Sequence, residues 1–209
     1  MYYSCVVIFR KITTTVIPEK EGNMEFLLAG LLLFTLLHFV PSLFVSVKNN
    51  WVGALGEGGY KATFSVIAVL SIAIISYGWQ NTVPVHINTP LQAMRVPSMA
   101  LIFVALILFC GAKLPTRIKT YIRHPMLVSV IFWSIAHLLN NGDSRSIILF
   151  GWVGVWAAVD IAAVNHREGV WIKEPPPPWA AELKVVVIGA VLYGVLLYAH
   201  GYIAGVPLI

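Results

Sequence analysis

Apolar residues are gathered along this chain into long blocks separated by short polar connections. Six such stretches stand out, at residues 26–47, 62–79, 96–112, 125–140, 146–164 and 183–203. The first and last reach the roughly 20 residues a helix needs to cross a bilayer. The third and fourth are a few residues short, so they borrow flanking residues or sit where the bilayer is thinner. The pattern predicts an all-α, polytopic transmembrane helical bundle of about six spans. Five spans with one re-entrant segment is the other arrangement it permits.

Positive charge then orients the spans. Nine Lys and Arg lie in the connections after spans one, three and five, against five elsewhere in the chain. Both termini are therefore expected on the non-cytoplasmic side. Residues 1–23 neither span nor carry a signal-peptide cleavage site. Leaving them out sharpens the bias to nine against two. This predicts that Met24 is the native start, that residues 1–23 are an extension outside the native protein, and that residues 24–209 form the membrane domain.

Composition agrees with a membrane protein: 58% of residues are hydrophobic, 11% are charged, and the mean hydropathy is +0.81. A net charge of +5 does not signal nucleic acid, because the basic residues sit between apolar runs and form no stripe. The lipid bilayer is the expected partner. Cys5 and Cys110 are too few and too scattered for a disulfide framework. No C-x-x-C-H and no zinc-finger spacing occurs. The glycines of "GALGEGGY" (53–60) lack a preceding strand and a following Lys-Ser/Thr, so a tight cytoplasmic turn is expected there rather than a phosphate loop. "KEPPPP" (173–178), between Trp171 and Trp179, reads as a stiff surface strut before the last span.

Ionisable residues inside apolar spans are costly and point to function. These are His38, His137, Asp160 and His200, with Arg123 and His124 at the start of span four. His124 and His137 are thirteen residues apart, about 20 Å along one helix, and point in different directions. They cannot ligate one ion together. If span one ends at Val47, His38 lies roughly 13 Å from its inner end and His137 roughly 18 Å from Pro125. At those matched depths, His38 and His137 suit the two axial positions of a haem iron. The plainer reading is that each is hydrogen-bonded to a neighbouring helix. His200 and His86 lie near an interface where water satisfies the ring, and His166 lies beside a loop. Asp160 pairs with Arg167 or an interhelical donor, or acts in proton transfer. Trp133, Trp152 and Trp156 read as packing residues.

Four segments in order, "HFVPS" (38–42), "LGEGGYKATFSVIAVLSIAIISYGW" (55–79), "RHPMLVSVIFWSIAHLLNNGD" (123–143) and "ILFGWVGVWAAVDI" (148–161), resemble the NnrU family of membrane proteins. The resemblance runs from about Met24 to His166 and more loosely to the C-terminus. It implies a polytopic membrane protein linked to nitrogen-oxide respiration in denitrifying bacteria. Through the plant 15-cis-ζ-carotene isomerase, a relative in the family, it also implies haem b and cis-trans isomerisation of an apolar polyene. The positions matching the family's haem histidines are His38, His124 and His137. Arg123 and His124, at the membrane surface, would then meet haem propionates or a bound anion. Cys110 is expected to be an inert thiol rather than a switchable ligand.

Two further classes remain at this stage. Membrane methyltransferases using S-adenosylmethionine also carry "RHP", and Glu168 is present here, but their paired tyrosines are missing. An accessory or assembly factor for a respiratory membrane complex would need no chemistry of its own.

Overall fold

The computed structural model describes residues 24–208. The expectation about residues 1–23 falls outside them. Among the described residues the chain is helical, with α1 Met24–Ser42, α2 Val45–Asn81, α3 Arg95–Lys113, the short α4 Ile118–Tyr121, α5 Pro125–Leu138, α6 Ser144–Glu168 and α7 Trp179–Ala204. A single 3-10 turn, Gln92–Met94, leads into α3. Five helices (α1, α2, α3, α6 and α7) are long and apolar enough to cross a membrane. The sixth apolar segment is α5, only 14 residues or about 21 Å long, short of the roughly 30 Å hydrocarbon core.

Local chemistry sets the ends. Pro125 occupies the first position of α5, where its missing N–H costs nothing and its φ suits a helix. Asp143 caps α6, its carboxylate accepting the Ser146 N–H at 3.0 Å, which satisfies one of the free amides of the first turn. Gly169 ends α6 at φ 64°, a conformation that other residues enter only with strain.

Two boundaries differ from the sequence expectation. The first span stops at Ser42, after Pro41, rather than running to Val47. The glycine-rich stretch 53–60 is a kink within α2 rather than a tight turn, with two helical segments meeting at Gly56. Only Gly56 leaves helical geometry there, at φ 70° and ψ 168°. One residue with positive φ is enough to redirect a helix, and the other glycines continue it at a modest cost in propensity.

Main packing runs in the order α2, α1, α6, α5, α3, α7. Small residues permit the closest approaches. A Cβ at Gly30 would meet Ile75 at 2.8 Å, and one at Gly189 would lie 3.0 Å from Ile107. Leu27, Leu31, Ala157 and Val185 are fully buried. Large apolar side chains such as Leu36, Val66, Val96 and Val191 remain more than half exposed, as suits helices whose outer faces meet lipid.

Consecutive crossings are antiparallel. Phe26 at the start of α1 packs on Tyr77 at the end of α2. The loops after α2 and α5 are joined by the Ile87 N–H donating to Gly142 O at 2.8 Å and the Ser144 N–H donating to Val85 O at 2.9 Å. At the α7 end, Arg95 donates to Leu208 O at 3.0 Å. Both ends of the described chain therefore lie on one side, with the α2–α3 and α5–α6 loops. The connections rich in Lys and Arg lie on the other. The Pro-rich segment is docked on that other side, where Arg117 donates to Pro177 O at 3.0 Å and lies 4.2 Å over the Trp179 ring.

Candidate functional site

His137 stands one residue before the end of α5, on the side of the chain ends. Its Nδ1 donates to Trp133 O at 2.8 Å, one turn back in the same helix. A histidine so bonded keeps Nε2 as a lone-pair donor. Around the ring are Phe150 at 4.4 Å, with planes 25° apart, Trp133 at 4.7 Å, and the imidazole of His200 at 6.5 Å, with planes 29° apart. His200 repeats the arrangement, its Nδ1 bonded to Val206 O at 2.7 Å. Sequence reasoning set His200 aside as an interfacial residue. Depth counted from the helix ends would have found it, because α5 and α7 finish on the same side, one residue past His137 and four past His200.

His38 lies elsewhere. With α1 ending at Ser42, it sits only about 6 Å from the opposite side. Its Nδ1 bonds to Phe34 O at 2.7 Å. Phe34 stacks on the ring at 4.0 Å, and Phe64 and Trp156 approach edge-on, each at 5.3 Å. His38 contacts α6 at Trp156, whereas His137 contacts it at Phe150. Six residues separate those positions, about 9 Å along the helix and on different faces of it. The structure thus does not bring His38 and His137 together; α6 stands between their helices.

The Arg-His-Pro stretch is committed to the scaffold. Arg123 donates to Gly169 O at 2.8 Å and to the Glu168 carboxylate at 3.1 Å. His124 Nε2 bonds with Asn165 Oδ1 at 3.0 Å. Arg167 donates to Pro41 O and pairs with Glu168 at 3.0 Å. Together they tie the start of α5 to the ends of α6 and α1. Partial burial works against ionisation of Glu168, but the Arg167 hydrogen bond and the charges of Arg123, Arg167 and His124 outweigh it. They hold the carboxyl below its ordinary value.

Sequence reasoning also missed Glu182, which accepts from the Thr116 hydroxyl at 2.9 Å and from the Arg117 N–H. Asp160 is not paired with Arg167: its Oδ1 is buried without a hydrogen-bond partner, as is the indole N–H of Trp156 one turn away. Cys110 is a buried free thiol. No cluster of three or more His, Cys, Asp or Glu able to hold a metal ion occurs among the described residues.

The NnrU protein family model matches residues 26–208. The chain belongs to the NnrU family. The match extends past His166, where the sequence likeness loosens, through the Pro-rich segment and all of α7. The helix bearing His200 is therefore part of the NnrU domain. No curated protein and no solved structure matches the chain.

Proposed function

We propose that this NnrU-family membrane protein binds haem b, which His137 and His200 would hold, and that the haem would serve a redox or double-bond isomerase reaction. The observation that carries this reading is the His137–His200 pair. Both rings commit Nδ1 to a carbonyl, which leaves two uncommitted Nε2 atoms on rings 6.5 Å apart. Two imidazoles sharing one metal through bonds of about 2 Å hold their ring centres about 6 Å apart. The donor chemistry and the spacing both fit. His38 takes no part in this ligation, and Arg123 and His124 are occupied by the scaffold.

Haem b, when bound, supplies one-electron redox chemistry or an iron able to interact with a double bond. The chain's own residues hold and screen it. The carbonyls of Trp133 and Val206 fix the tautomer and orientation of the two rings. Trp133 and Phe150 exclude water from His137 with aromatic walls. A small apolar groove between α3 and α5, lined by Ala105, Phe109, Val130 and Trp133 among others, brings the lipid side up to Trp133. An apolar molecule such as a polyene would enter from that side. A redox role would need no such route, only a respiratory partner to exchange electrons with.

The test is the absorption spectrum of detergent-purified protein from haem-replete cells, oxidised and dithionite-reduced. A Soret band is expected that shifts on reduction, is lost in His137→Ala, is lost or altered in His200→Ala, and survives in His38→Ala. Absence of haem from the wild type overturns the reading and leaves the accessory role. Loss of the band in His38→Ala, with His200→Ala unchanged, would restore the pairing expected from the sequence.

A further inference from the structure

Two polar atoms without partners lie one helical turn apart in the middle of α6. Asp160 is 8% exposed and Trp156 is 7% exposed, and neither Asp160 Oδ1 nor Trp156 Nε1 has a hydrogen-bond partner. Orphaned buried polar atoms are rare and call for a bound group. A third polar side chain lies beside them: His38 packs edge-on against Trp156 at 5.3 Å, and Trp156 is one helical turn from Asp160. Its Nδ1 is committed to Phe34 O, so Nε2 is its free atom. The surroundings are aromatic, with Phe34 and Phe64 against the imidazole and the buried Tyr60 beside Phe64.

The donor set defines the occupant. Trp156 offers only a hydrogen, while Asp160 and His38 offer acceptors. A metal cation would be repelled by the indole N–H, and an anion by the carboxylate. One water satisfies all three, accepting from Trp156 and donating to Asp160 and His38, and three bonds are typical of a buried water. We propose that Trp156, Asp160 and His38 hold an internal water inside the bundle and that Asp160 and His38 exchange a proton through it. The carboxylate takes a proton from hydronium, giving the carboxylic acid and water. The acid then hands a proton to the water, which passes another to His38 Nε2. No electron moves and no bond to carbon changes.

The charged and titratable groups nearest this cluster lie toward one side. On α1 the only one near it is His38. On α2 they are Tyr60 and, further out, Lys48 and the exposed Glu57–Lys61 pair. At the start of α5 it is His124, bonded to Asn165, while His137 lies at the far end of that helix. On α6 they are His166, Arg167 and Glu168, the last two paired. His38 lies about 6 Å from the Lys- and Arg-rich side, four residues before the end of α1, so the site exchanges protons with that side. This inference is independent of the haem reading, since it uses neither His137 nor His200.

Infrared difference spectroscopy of the full protein, titrated in H2O and D2O with isotope-labelled aspartate, tests it. The chain has only two aspartates, Asp143 and Asp160, and Asp143 is paired with Arg145 and bonded to Ser146. The expected result is a labelled carboxylic-acid band that shifts in D2O, survives in Asp143→Asn and disappears in Asp160→Asn. It should also shift in Trp156→Phe, which keeps a ring and removes the N–H. If Asp160→Asn fails to fold, the label and Trp156→Phe still decide. Absence of a labelled carboxylic-acid band that survives Asp143→Asn, or a band unmoved by Trp156→Phe, overturns the proposal.

Discussion

Gly78 on α2 rests directly on the backbone of Leu27 on α1: a Cβ at Gly78 would come within 2.7 Å of Leu27 Cα. Backbone cannot step aside as the tip of a flexible side chain can. Gly78→Ala is expected to push α1 from α2 and to destabilise the protein by about 1–3 kcal/mol, the usual cost of overpacking. Gly151, with nothing within 4 Å of its Cβ position, is the control. Gly151→Ala is expected to be neutral or slightly stabilising. Thermal unfolding in one detergent compares the two.

Glu182 holds the loop after α3 to the first turn of α7. Glu182→Ala leaves the Thr116 hydroxyl and the Arg117 N–H without their charged acceptor. A loss of about 1.5–3 kcal/mol is expected for bonds to an ionised group. Limited proteolysis should show faster cleavage within residues 113–124. Unchanged stability and cleavage would mean that the anchor contributes nothing.

Glu168 gives a pH dependence with a definite sign. Its folded value lies below the ordinary one, so its share of stability is present above the unfolded carboxylate range. That share fades as pH falls through the folded value. The side chain is 44% exposed, so solvent screening limits the effect to at most about 1 kcal/mol. Melting curves of the wild type and Glu168→Gln should differ near neutral pH and converge in acid.

Sided labelling of single cysteines, in a Cys5→Ser, Cys110→Ser background, tests whether α5 completes a crossing. Thr89→Cys, Asn141→Cys and Gly205→Cys should react from one side, and Lys119→Cys and Glu174→Cys from the other. The charge bias expects the first group to face away from the cytoplasm. Reaction of Asn141→Cys from the Lys119 side would make α5 re-entrant.

Helix order and the all-α membrane class were legible because apolar blocks of this length have few other readings. The end of span one was not, because Leu43, Phe44, Val45 and Val47 continue the apolar run past the break at Ser42. That misplaced end gave His38 and His137 an apparent common depth. No residue-by-residue pattern shows which face of α6 each neighbour occupies, so the separation of the two histidines became visible only in three dimensions. Arg-His-Pro looked like an anion site because its partners, Asn165, Glu168 and Gly169, lie more than forty residues on in the chain.

The chief packing neighbour of α7 is α3, along the seam where Ile107 meets Gly189. With 26 residues it is about 39 Å long, nearly twice the length of α5, yet its apolar part, residues 183–203, measures about 32 Å and matches a typical hydrocarbon core. The first turn of α7 therefore stands clear of the lipid, and the Glu182 carboxylate that accepts from Thr116 clamps the helix at the membrane margin rather than within it.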